Sequence, residues 1–489
     1  MMPTVSIPAP FGGLNARDAV TAMPAQDAIR LFDWIPRGTF VETAPPVENF
    51  YAGPNRVFTL APYEVGASKK LLAAVETSAF SDSWDIVEVS TGTPSTLKAA
   101  QGDGIYSFTI FNSLMVLCNG VDTPQVYNGT TCSNIAVTGV TATTLRGVIT
   151  FKGRCYYWQD DAQSFWYAAA GSYQGALAEF PISTFTTLGG KVTLLCTITR
   201  DGGEGADDLF CVVMSTGEIL VYQGDDPAGA FSWEMIGRFK CPRPLGLRSA
   251  HRYGRTTLLM TEEGIIDIAA VLSGTIYPAF SDKVIAVTTF KDDNYASGDA
   301  RDLACAVDSQ ESMSTMFLPN NVYTQFPAFS SIPICVERAT GQWWNYMGSA
   351  GDFLSGGVGT PACACSFDGR TYFGASATTG SSILVMQAPP IPAFVSPAVI
   401  SKVWRNCSVS GISFAVTFNS AVLTDYYNPE NTTLAPYTGV SSYQPAPSFL
   451  ISQATAVQTV YDSSENYWGS TPKLRWYMTN LRIKTGGKR

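Results

Sequence analysis

The chain has 489 residues, of which 46% are hydrophobic and only 15% charged, with 43 Gly, 29 Pro and a formal net charge of −9. That apolar content excludes wholesale disorder, and the scarcity of charge excludes long solvent-exposed helices laced with Glu and Lys. An acidic chain is a poor fit for wrapping nucleic acid in a basic groove.

Residues 1–60 read as an N-terminal docking arm. Gly12–Gly13 and Pro36–Arg37–Gly38 punctuate a predicted helix from Pro24 to Trp34, with Ala28, Leu31 and Phe32 on one face. GGLN lacks the spacing of a nucleotide-binding loop. The first residues have neither a basic n-region nor an apolar h-region, so no signal peptide is expected.

From Lys69 onward short apolar runs alternate with Gly, Asn or Asp: LLAAV, WDIVEV, SLMVLC, LFCVVM, EILVY, TTLLMT. These predict strands and hairpins. The best candidate for a membrane span, the uncharged Gly104 to Val121, reads as two strands about Asn112–Ser113 and not as a spanning helix. In KVTLLCTITR, Val192, Leu194, Cys196 and Ile198 alternate with threonines, as in a half-buried antiparallel strand. FKGRCYYW (Phe151–Trp158) is echoed by FDGRTYF (Phe367–Phe373) and by RYGRTTLLM (Arg252–Met260); QVYNG (Gln125–Gly129) is echoed by LVYQG (Leu220–Gly224). Repeated hairpins favour radial sheets over a sandwich, with several packed antiparallel sheets as the other arrangement. The expected fold is mainly β: a β-propeller-like body over 61–410, preceded by the arm and followed by a C-terminal β segment, 411–489, with a basic end.

Two stretches of 31 residues, Thr371–Ser401 and Asn431–Tyr461, carry no charge. They suit either subunit contacts or the protein's own core. Basic residues concentrate in Arg238–Arg255, which holds Arg243, Arg248, Arg252, Arg255 and the only His, His251, without an acid. A second basic cluster ends the chain. These runs can meet phosphate or an acidic partner, or serve as charged strand edges.

With one His, a Ser-His-Asp or Cys-His arrangement would have to use His251, no GxSxG elbow occurs, and His-based zinc or iron sites, which need two or more imidazoles, are excluded. The eleven Cys lie mostly inside apolar runs and read as buried thiols of a chain folded in a reducing cytosol. Cys363 and Cys365 lack the spacing of a zinc site. RDGGEGADDLF lacks that of a calcium loop. No enzyme activity, cofactor or metal is expected. The other function class is an outward-facing carbohydrate binder, for which Trp343–Trp344 is the place to look.

Phe11–Gly38, FGGLNARDAVTAMPAQDAIRLFDWIPRG, resembles the opening of tail nozzle or tail tubular proteins of short-tailed bacteriophages, with Asp33 at that pattern's Asn position. The resemblance implies a virion protein made in the host cytoplasm. It would form a homo-oligomeric ring of six subunits below tail adaptor proteins and carry fibres or spikes. Double-stranded DNA would pass through the ring without sequence recognition, and the chain would not insert in a membrane. It also makes Phe11, Gly12, Gly13, Leu14, Asn15, Leu31, Phe32 and Trp34 candidate arm-docking residues. An acidic or neutral channel lining would hold DNA, with one charge per about 1.7 Å, off the wall.

Overall fold

In this computed structural model the described residues are 4–274 apart from short interruptions and residues 200–207, then 281–284, and a set of strands and turns between 305 and 483. Six four-stranded antiparallel sheets, with a three-stranded sheet between the fourth and the fifth, succeed one another along the chain. The body is a β-propeller. Blade 1 is Val57–Val65, Ser68–Glu76, Trp84–Glu88 and Ser95–Gln101. Blade 2 opens with Ser107–Phe111, blade 3 with Leu145–Phe151 and blade 4 with Val192–Ile198. The three-stranded sheet follows, Ala250–Tyr253, Thr256–Thr261 and Gly264–Asp267. Blade 5 opens with Cys305–Asp308 and blade 6 with Pro361–Phe367. The first strands of blades 2 and 3, 3 and 4, and 5 and 6 pack on one another, and that of blade 6 returns to that of blade 1.

Local chemistry explains the hairpins. Lys152–Gly153 have φ +42° and +74°, Asp368–Gly369 +49° and +73°, and Asn112–Ser113 +46° and +66°. Positive φ at both central residues makes a type I′ turn, whose twist matches that of the flanking strands. FKGRCYYW and FDGRTYF therefore sit at the same place, the first hairpin of blades 3 and 6. RYGRTTLLM makes the first hairpin of the three-stranded sheet. QVYNG and LVYQG supply third strands, in blades 2 and 4. The sequence echo is the blade repeat.

Because a blade is covered on both faces, its middle strands lose alternation. Leu209–Met214 is buried at every position, whereas Val192–Ile198 keeps Thr193 and Thr197 half-buried as its pattern predicts. The aromatic content goes into this packing: Phe165 stacks on Phe180 at 4.9 Å and Tyr222 on Trp233 at 5.3 Å in the core shared by blades 3 and 4. Arg146 pins the junction of blades 1, 2 and 3. Only 1% exposed, it pairs with Asp103 at 2.9 Å and donates to the Asn119 carbonyl.

The ring is closed by a strand from before blade 1. Val47–Tyr51 lies antiparallel outside Ile383–Met386, the third strand of blade 6, so both ends of the propeller meet in one sheet. The strand Val57–Val65 crosses the expected boundary at 60, and the hairpin Ala398–Val403/Gly411–Val416 crosses the one at 410. Arm and C-terminal segment also share sheets: Thr4–Pro8 pairs with Met478–Ile483, and Val41–Thr43 with Arg475–Trp476.

The helix expected over Pro24–Trp34 is not formed. Asp27–Ala28 pairs parallel with Gly13–Leu14, Arg30–Leu31 pairs with Ser401 and Ile400, and Trp34–Pro36 begins a hairpin with Val41–Thr43. Ala28 and Leu31 are buried as the apolar stripe requires, on strands instead of one helix face. The α-helix among the described residues is Ile268–Leu272, whose first free amide, Ala269 N, donates to the Asp267 side chain at 2.8 Å. No described helix is long and apolar enough to cross a membrane. Of the uncharged stretches, the described part of Thr371–Ser401 within blade 6 is buried, Tyr372, Phe373 and Leu384 included. Asn431–Tyr461 lies outside the described residues except for the strand Ile451–Thr455.

Candidate functional site

The arm junction is built from the GGLN segment. Gly13 has φ +81°, and a Cβ there would lie 2.9 Å from the Trp343 carbonyl oxygen, so the backbone of the arm presses directly on Gln342–Asn345, the outer strand of blade 5. A Cβ on Gly12 would collide with the Asp27 carboxylate and sit 2.8 Å from the Gln26 carbonyl. Leu14 is buried, and Asn15 is fully so. The Asn15 amide donates to Asp27 at 2.7 Å and to Asp18 at 2.9 Å, while its carbonyl accepts from the Arg17 and Asp18 amides. Lys283 lies 3.5 Å from Asp27, and Arg17 pairs with Asp282. Hydrogen bonds from Arg17 and Asn15 hold the Asp18 carboxyl below its ordinary range. Every residue of GGLN thus has a packing or hydrogen-bonding reason.

Of the other arm candidates, Leu31 is buried and Phe11 half-buried. Trp34 lies in a strand, and its side chain, like Phe32, lies outside the described residues. Sequence reasoning missed the ion triad beside them. Arg37 donates to Glu42 at 2.7 Å and to Glu337 of blade 5 at 3.0 Å. The Pro36–Arg37–Gly38 turn is visible in the sequence, but its carboxylate partner lies 300 residues away.

Gly12→Ala tests this junction. The added methyl group must displace the Asp27 carboxylate that anchors Asn15, so a loss of about 1–3 kcal/mol is expected in urea unfolding. The same change at Gly38, where a Cβ would meet open space, should act only through its positive φ.

The basic run divides into three places. Arg243 and Arg255 are exposed at opposite ends of the strand Thr256–Thr261, their carbonyls accepting from Glu262 N and Thr199 N at 2.9 Å. Arg248 and Arg252 instead line a pocket of about 270 Å³. Its walls are Thr59 and Leu60 of blade 1, Tyr106 to Phe108 at the start of blade 2, the His251 strand, and Cys363 and Ala364 of blade 6. These elements face each other across the ring, so the pocket lies on the propeller axis. The Arg248 guanidinium crosses it, donating to the Phe58 carbonyl at 2.5 Å and to the Thr59 hydroxyl. His251, 8% exposed, sits opposite Leu258 in its sheet.

Trp343 and Trp344 are 3% and 0% exposed. Blade 5 covers one side and the arm the other, which removes them as a platform for sugars. The nine described cysteines are free thiols, and burial pushes Cys155 and Cys241 up to about 12. Among the described residues no cluster of three His, Cys, Asp or Glu side chains could hold a metal ion. Residues 201–207 of the acidic loop lie outside the described residues; Asp208 accepts from the Thr199 hydroxyl at 2.7 Å.

No family model and no curated protein matches the chain. Solved structures similar to it are propellers or proteins of other description at low identity. The β-propeller domain of Cps50 (Swd1) from Myceliophteria thermophila aligns at 11% identity and TM-score 0.42, over 70% of this chain and 100% of that one. YCF48 bound to D1 peptide aligns at 9% and 0.39, covering 74% and 98%. The computationally designed Ika8 protein aligns at 8% and 0.38, covering 73% and 96%.

Proposed function

We propose that this chain is a structural virion protein that forms the nozzle ring of a short phage tail, with no catalytic turnover. The observation that carries this reading is the FGGLNARD…MP…PRG arm. Gly13 and Arg37 seat the N-terminal segment on blade 5, and Gly12 and Asn15 hold the arm in the shape that does so, as an assembly motif requires and a catalytic one does not. The arm and the C-terminal strands together offer a face for tail adaptor proteins, and the outer blade edges a platform for fibres or spikes. The exposed charges of Trp233–Lys240, on Glu234, Arg238 and Lys240, protect one such edge from unwanted strand pairing.

The pocket of about 270 Å³ crossed by Arg248 is far smaller than a duplex needs, which supports a conduit between subunits over one through the propeller itself. Six copies by the family resemblance, closed by rotation, would enclose it. The net charge of −9 would keep passing DNA from gripping the wall. Electron microscopy of the assembled particle tests this. A six-fold ring with an open or gated bore is the expected image. A monomer on the outside of a capsid, or a plugged bore without a movable gate, would defeat the proposal.

A further inference from the structure

We propose that the axial pocket of the propeller is a binding site for a small oxyanion, a carboxylate or phosphate group carried by a molecule no larger than a short dicarboxylate. Its lining contains two arginines and a histidine and no acidic residue, in a chain with nine more acidic than basic side chains. The two arginines have different duties. Arg248 is committed to the Phe58 carbonyl and the Thr59 hydroxyl, and so acts as a fixed brace across the ring. Arg252 is exposed and lies on the strand Ala250–Tyr253 opposite Thr257. It makes no ion pair or hydrogen bond among the described residues. A guanidinium that lines an open pocket without a counter-charge among its walls favours an anion there, because its planar fork matches a carboxylate or phosphate edge with two parallel hydrogen bonds.

The pocket's size narrows the class. About 270 Å³ lies just below the range of drug-sized ligand sites, so a single compact anion fits while a nucleotide does not. Cys363 and Ala364 on one wall and Leu247 on the other leave room for an aliphatic stem beside the charged head. The site lies at the centre of the ring of blades. An occupant would touch blades 1, 2 and 6 and the three-stranded sheet at once, so binding would stiffen the propeller as a whole.

The test is calorimetric titration of the full chain with inorganic phosphate and, separately, with succinate, against chloride at matched ionic strength. Wild-type protein and the Arg252→Gln and Arg255→Gln variants are compared. Arg255 is equally exposed but lies outside the pocket, so it controls for net charge. Binding of either probe by wild type and Arg255→Gln, with an affinity lower by about tenfold or more in Arg252→Gln, is expected. The preferred probe identifies the head group. No heat with either probe would overturn the proposal, and so would equal weakening in both variants, which would mark a diffuse charge effect. Unchanged unfolding midpoints of the two variants without ligand separate lost binding from lost structure.

Discussion

Arg37→Ala should lower the stability of the chain by about 3–5 kcal/mol and free the arm from blade 5. The two carboxylates that flank Arg37, on Glu42 and Glu337, have side chains only 5% and 2% exposed. Removing the cation takes from two buried carboxylates the guanidinium that pairs with both of them. Glu337 retains the Thr340 amide and hydroxyl at 2.7 and 2.8 Å, but these serve its other oxygen. Arg37→Lys should recover only part of the loss, since an ammonium cannot present the fork that reaches both partners. Combining Arg37→Met with Glu42→Gln and Glu337→Gln should be far milder than Arg37→Ala alone, because the penalty comes from unpaired charge and not from missing contact area. Urea unfolding gives the magnitude, and limited proteolysis before residue 47 reports release of the arm. A loss below about 1 kcal/mol would show that the triad is a solvated pair of no structural weight.

The parts of this fold that are legible in the sequence are those set by short-range chemistry. Lys152–Gly153 and Asp368–Gly369 announce type I′ turns because only residues tolerant of positive φ can occupy them, and the aromatic after each returns to the core. The arm reads as a helix because Ala28 and Leu31 fit a helical face as well as they fit two short strands. What decides is a partner, Ile400 and Ser401, some 370 residues further on, with which Leu31 and Arg30 pair. Periodicity in a window of eleven residues has no access to that. The closing strand Val47–Tyr51 is hidden for the same reason, since its partner Ile383–Met386 comes at the other end of the body. Among the basic residues, Arg248 and Arg252 look no different in sequence from Arg243 and Arg255. Only the fold brings the first pair to one pocket, Arg248 as a brace across it and Arg252 exposed at its side.

Glu218→Gln should cost about 3 kcal/mol at neutral pH and remove much of the acid sensitivity of blade 4. Glu218 is 1% exposed at the start of the strand Glu218–Gly224, where burial alone would push its carboxyl up. The loop before blade 4 overcomes that. The hydroxyls of Thr186 and Thr187 donate to it, the latter at 2.7 Å, and the amides of Thr187 and Leu188 do so at 3.0 and 3.1 Å. The carboxyl falls from its ordinary 4.5 to about 2. A depressed folded value stabilises the folded state fully above about 4.5, and that stabilisation is lost as the pH falls from there through about 2. The difference of roughly two and a half units corresponds to about 3 kcal/mol. Gln is close in shape, but it carries no charge for the Thr187 and Leu188 amides to stabilise, and its amide nitrogen can be satisfied only if a threonine hydroxyl turns from donor to acceptor. Unfolding followed at pH 7 and again near pH 2 separates charge from shape. At pH 7 the wild type should exceed the variant by the full amount, and near pH 2 the two should converge. A gap that stays constant across that range would assign the loss to packing and leave the Thr186–Leu188 cradle without its electrostatic role.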